Sequence, residues 1–150
     1  MMHRESAAMT TVLAATAAAA NGGAVIALTN PGGVRTDIAL KEDGAVTYGD
    51  LFASQPFRNQ LVTLTLTGRQ IKDMLEQQWR DPKRPRILQV SKGFSYAWDA
   101  SKGDGERIVA ERMSLNGQTI DPAAGYRVTV NSFLFAGGDG FTVLTQGAAP

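Results

Sequence analysis

The sequence predicts an α+β fold in one domain, and three observations carry that expectation. Residues 61–67 (LVTLTLT) alternate apolar side chains with threonine, and 126–130 (YRVTV) alternate in the same way, which is the period of half-buried strands. Between them Ile71, Met74, Leu75 and Trp79 recur at the spacing of one helix face. No internal repeat or domain-sized shift in composition divides residues 1–150, and a hydrophobic content of 43% suffices for one core.

The elements follow in order. Residues 1–23 read as an alanine-rich first helix, on the high helix propensity of alanine. A basic start followed by 7–20 imitates a secretory signal, but Glu5 interrupts it and only Met9, Val12 and Leu13 are strongly apolar. Asn21-Gly22-Gly23 breaks the pattern, and 24–29 reads as a short buried strand. A loop, Asn30-Pro31-Gly32-Gly33, leads into 34–38, and 41–44 is a polar turn. Thr47 caps a short helix with Asp50 three positions on, and Pro56 stops it. After strand 61–67, Gly68 marks the break before the amphipathic helix, and 80–86 is a loop with two prolines. Phe94, Tyr96 and Trp98 alternate as a further strand, and 113–120 folds as a hairpin on Asn116-Gly117, a favoured type I′ pair. Strand 126–130 then runs into Asn131-Ser132-Phe133-Leu134-Phe135-Ala136-Gly137-Gly138-Asp139-Gly140-Phe141.

Composition removes several function classes. Fifteen basic residues against 14 acidic ones leave a formal charge of +1, no electrostatic case for nucleic acid as the main partner. Cysteine is absent, which excludes disulfides, thiolate metal sites and thiol catalysis. The single histidine is His3, so neither a histidine-rich catalytic metal centre nor a Ser-His-Asp relay is on offer. No apolar run is long enough to span a bilayer. The expectation is a chain with no catalytic residue, metal ligand or cofactor of its own.

Three glycine- or proline-marked loops remain as candidates. The first carries Asn30 and Arg35 around Gly32 and Gly33; the second is Pro56-Phe57-Arg58-Asn59; the third holds Phe133 and Asp139 around Gly137 and Gly138. Glycine lets another molecule approach the main chain. Two rings can sandwich a flat base, a guanidinium suits a phosphate or ribose oxygen, and a carboxylate accepts from paired hydroxyls. Each residue also has a plainer reading: Phe57 and Phe133 as core, Asp139 as a turn acid, Arg35 as a surface arginine. Phe141 reads as core, strand packing explains Phe94, Tyr96 and Trp98, and Arg80, Lys83, Arg84 and Arg86 read as a solvated basic loop.

The stretches NPGGVRTDI, VTYGDLF, PFRN, LTG, LQVSKGF and YRVTVNSFLFAGGDGF, in this order, resemble the C-terminal domain of 5′-nucleotidases over residues 24–144. The family takes in ecto-5′-nucleotidase, the UDP-sugar hydrolases and the 2′,3′-cyclic-nucleotide phosphodiesterases. The resemblance implies two mixed sheets layered with helices (α/β/β/α). It implies that Phe57 and Phe133 sandwich the base, Asp139 holds the ribose hydroxyls, Arg35 contacts the phosphate and ribose region, Asn30 reaches the base or nearby polar atoms, and Asn59 helps hold the base. It further implies an N-terminal metallophosphatase domain that carries two divalent metals and performs the hydrolysis, and a periplasmic or secreted location. Neither an Asp-x-His nor a Gly-Asn-His-Glu element occurs in these 150 residues, Met2 stands where the family has an arginine, and Met9-Thr10-Thr11-Val12 replaces its Leu-Gly-Asn-Leu.

The leading expectation is therefore a substrate-recognition domain for an AMP-like nucleotide or nucleoside, with a dimetal domain as partner. The alternative is a packing or partner-binding domain of the same fold that has lost its ligand and self-associates. A metal-free hydrolase is a third reading, for which Asp139 alone could supply a base or nucleophile.

Overall fold

The computed structural model describes residues 23–38 and 42–148. The first helix expected over 1–23 falls, except for Gly23, outside the described residues, as do Glu5 and His3. Strand β1 is Ile26–Thr29, β2 is Leu61–Thr67, β3 is Gln89–Val90 and β7 is Gly125–Asn131; they form a four-stranded sheet in the order β2-β7-β1-β3. Only the β1–β7 pair of this sheet is parallel, which makes it mixed. A second, antiparallel sheet joins β4 (Phe94–Ser95), β5 (Ser114–Leu115) and β6 (Gln118–Thr119). Among the described residues three α-helices accompany them: α1 (Tyr48–Ser54), α2 (Gly68–Glu76) and α3 (Ser132–Phe135).

Local chemistry sets most of these boundaries. At α1 the Thr47 hydroxyl accepts from the Asp50 amide while the Asp50 carboxylate accepts from the Thr47 amide, a reciprocal capping box. The same box, from Thr67 and Gln70, starts α2. Gly68 is thus the first helical residue rather than a break. A side chain there would strike the Asp121 carbonyl, and this close approach seats the helix on the 120–124 segment. The hairpin turns on Asn116 (φ 51°) and Gly117 (φ 81°), both left-handed as a type I′ turn requires.

The core lies between β1, β2, β7 and α2. Ile26, Leu28, Leu64, Leu66, Val128 and Val130 from the strands meet Ile71, Met74 and Leu75 from the helix, with Leu134, Phe141 and Leu144 below them. The strands are not simply half-buried. Thr63 and Thr129, on the opposite face and paired in register, are buried as well, and their hydroxyls bond at 2.8 Å. A hydroxyl can be buried there because it finds its partner across the strand pair.

The aromatic run 94–98 departs from the expected strand. Ladder pairing covers only Phe94–Ser95, with one further bridge from Trp98 to Ile108. The rings form a chain instead: Phe94 to Tyr96 at 6.0 Å, Tyr96 to Trp98 at 5.8 Å and Trp98 to Trp79 at 5.7 Å. Burial pushes the Tyr96 phenol up, opposed in part by the hydrogen bond it donates to Gln78.

Candidate functional site

Strand β7 ends in Asn131, whose side chain faces two ways. Its Oδ1 accepts from the Leu134 amide and caps α3, while its Nδ2 donates to Asn30 Oδ1 at 3.1 Å. Asn30 in turn donates through Nδ2 to Asp139 Oδ2 at 2.8 Å. Asn30 is buried, so its amide orientation is fixed by these two partners. The first and third loops are therefore joined by a chain of hydrogen bonds across 109 residues. Gly33 makes room for the link, since a side chain there would crowd Asn30 Oδ1 and Thr29 Oγ1.

The rings are exposed. Phe57 and Phe133 are 39% and 44% accessible, whereas Phe141 is fully buried. The Arg35 guanidinium lies 5.1 Å from the centre of the Phe57 ring, within cation–π range, and the Arg35 amide donates to the last carbonyl of α1, Ser54. Among the described residues Phe57 and Phe133 make no ring contact with one another. Their loops are clipped together close by. Ser132 donates its amide to the Gln60 carbonyl at 2.8 Å, Gln60 returns its amide to Ser132 Oγ at 3.1 Å, and Ser132 Oγ lies 3.4 Å from Asn59 Oδ1.

Gly137 takes φ 84° after α3. Gly138 lies directly against Phe133, where an added Cβ would come within 2.5 Å of the Phe133 carbonyl oxygen and 2.6 Å of its ring. Gly138→Ala is accordingly expected to cost about 1–3 kcal/mol, because backbone has to move to relieve the overlap. Gly32→Ala, whose Cβ would meet only Asn30 Nδ2 at 3.6 Å, is the control expected to leave the urea midpoint nearly unchanged.

Residues 80–86 are exposed, as expected of a solvated basic loop, yet two of its arginines reach the third loop from there. Arg86 Nη1 donates to the Asp139 carbonyl at 2.9 Å and its Nε lies 3.6 Å from Asp139 Oδ1. Arg80 Nη1 donates to the Gly140 carbonyl at 3.1 Å. Sequence spacing carries no signal for contacts across 53 and 60 residues. Gln78 was missed as well. It is buried, accepts from the Leu88 amide at 2.7 Å and the Tyr96 hydroxyl at 2.9 Å, donates to the Leu75 carbonyl, and its own carbonyl holds the Arg86 amide.

The loops bring together groups that could hold a ligand. They offer two exposed rings, the Arg35 guanidinium, and one carboxylate tied to Asn30 and Arg86. Among the described residues no three His, Asp or Glu side chains converge. No described helix is long and apolar enough to cross a membrane. A cavity of about 140 Å³ lies beside the second loop, lined by Thr29, Gln55, Asn59, Thr129 and Asn131 among others. A larger cleft of about 500 Å³ sits elsewhere, between Arg69, Lys72, Glu111 and Pro122, with none of the loop residues on its wall. The first amides of α2 there are already taken by Ala124, Pro122 and Thr67. The convergence of loop residues therefore outweighs the size of the cleft.

Comparison with known proteins fits this geometry. The family model described as "5'-nucleotidase, C-terminal domain" matches residues 2–146. The trifunctional nucleotide phosphoesterase protein YfkN of Bacillus subtilis is 37% identical over 129 residues, 83% of this chain and 8% of that protein. The 5′-nucleotidase of Vibrio vulnificus is 33% identical over 119 residues, 79% of this chain and 20% of that protein. The crystal structure of a 5′-nucleotidase precursor from Thermus thermophilus superposes with a TM-score of 0.72 at 35% identity, over 97% of this chain and 28% of that one. The chain thus spans less than a third of each of these proteins.

Proposed function

We propose, from the premise that this chain belongs to the 5′-nucleotidase C-terminal domain family, that it is the substrate-recognition part of a 5′-nucleotidase-type metallohydrolase. In this reading the base stacks between Phe57 and Phe133, Asp139 accepts from the ribose hydroxyls, and Asn59 and Asn30 stand at the polar edge. Arg35, stacked on Phe57, draws the nucleotide's phosphate. The ester is cut by a separate dimetal domain that supplies the metals and the attacking water; the residues here bind and orient.

The single observation that carries the reading is the pairing of two exposed phenylalanines with a hydrogen-bonded carboxylate on loops clipped to one another. Two exposed rings on loops clipped to one another are more than apolar residues scattered singly, and mark a surface that a ligand can cover. Calorimetric titration of the chain with AMP and with adenosine tests it, and saturable binding of both is expected. Binding of neither would overturn it. That result with a concentration-dependent mass by light scattering would favour the packing alternative, for which the exposed Tyr48, Leu51 and Phe52 provide an apolar face.

A further inference from the structure

We infer that Arg86, assisted by Arg80, is a positioning residue that presents the Asp139 carboxylate to a pair of hydroxyls, and so sets the preference of the site for a vicinal diol. This rests on the reading of the loops as a nucleoside site.

Asp139 sits at φ 58°, the left-handed region that a residue with a side chain rarely adopts. Aspartate enters this region more readily than most residues, and the surrounding contacts hold it there. Three ties do so here. Asn30 Nδ2 fixes Oδ2 at 2.8 Å, Arg86 Nη1 fixes the residue's own carbonyl at 2.9 Å, and Arg80 Nη1 fixes the next carbonyl, Gly140, at 3.1 Å. Gly140 continues in the left-handed region at φ 88°, and a side chain there would crowd Arg80 Cδ. Both guanidinium groups thus grip the backbone of the turn, where the carboxylate is carried.

The carboxylate keeps acceptor capacity. An ionised Asp has about four lone-pair positions over its two oxygens. Asn30 uses one on Oδ2. Arg86 Nε, at 3.6 Å from Oδ1, lies beyond hydrogen-bond reach, so it adds positive field without occupying a lone pair. Two adjacent hydroxyls can therefore be met by the two oxygens at once, whereas a single hydroxyl leaves one of them unused. Arg86 is itself anchored from behind, because its amide donates to the Gln78 carbonyl and Leu88, two residues on, donates to Gln78 Oε1. The guanidinium reaches Asp139 from a fixed base.

The test is calorimetric titration of the wild type, Arg86→Met and Arg86→Lys with adenosine and 2′-deoxyadenosine, with thermal melting as the fold control. The wild type is expected to favour adenosine by about 10-fold or more, the scale of one hydrogen bond to a charged acceptor. In Arg86→Met adenosine affinity falls by about that factor while 2′-deoxyadenosine affinity barely moves, so the ratio collapses. Arg86→Lys keeps a cation in place but cannot hold the Asp139 carbonyl and face Oδ1 together, so the same collapse is expected with the fold intact. Equal losses for both nucleosides, or an unchanged ratio in either variant, would overturn the inference alone. A wild type that binds neither nucleoside would remove the nucleoside site itself and this inference with it.

Discussion

Gln78→Leu is expected to destabilise the domain by about 3–5 kcal/mol, seen as a lowered urea midpoint with an unchanged slope. The side chain is 1% exposed and both its oxygen and its nitrogen are engaged. Its Oε1 accepts from the buried Leu88 amide and the Tyr96 hydroxyl, and its Nε2 donates to the Leu75 carbonyl. Leucine preserves the volume but leaves the Leu88 amide without an acceptor, and each such orphaned group costs about 1–3 kcal/mol. Tyr96 and Leu75 lose a partner as well. The neighbouring Gln77 provides the contrast. It also makes two hydrogen bonds, to Thr142 Oγ1 and from the Val143 amide, but the first is exposed and the second only part-buried, so water can take up more of what is lost than at Gln78. Gln77→Met is expected to cost about 1 kcal/mol or less. If the two substitutions cost the same, burial is not what gives Gln78 its weight.

The two glutamines also mark how far the sequence could be read. Position 78 lies seven after Ile71, four after Met74 and three after Leu75, on the apolar face of the helix pattern, so its phase was a usable signal for burial. Features fixed within a few residues were legible, because their chemistry is local: the capping box at Thr47, the Asn116-Gly117 turn, and the β2 and β7 strands. The burial of Thr63 and Thr129 was not, since it depends on what lies over the second face of a sheet. Phe57 and Phe133 read as core from residue type and as a platform from the family resemblance, and their exposure separates them from Phe141, a residue of the same type with the opposite fate. Arg86 was out of reach altogether. A half-exposed arginine in a proline-rich loop has no pattern that points to a carbonyl 53 residues away. The family resemblance pointed to Asp139, but what holds Asp139 is visible only in three dimensions.

Replacing both rings, Phe57→Ala with Phe133→Ala, is expected to weaken AMP binding by about 30-fold to 20,000-fold, the sum of two base–aromatic stacks at about 1–3 kcal/mol each. The same double variant is expected to keep its urea midpoint within about 1 kcal/mol of wild type, because both rings are substantially exposed and neither fills the core. The two singles differ in kind. Phe57→Ala also removes the surface on which Arg35 rests, so that guanidinium gains freedom and the loss for AMP is expected to exceed the loss for adenosine, which has no phosphate to hold. Phe133→Ala leaves Arg35 in place and should weaken both ligands equally. Ribose 5-phosphate completes the set. With no base to stack, it should bind the Phe133→Ala variant as it binds wild type, and the phenylalanine pair then acts on the base alone. AMP binding unaltered in the double variant would place the base outside the rings, and the exposed phenylalanines would be left to cover a protein surface instead of a ligand.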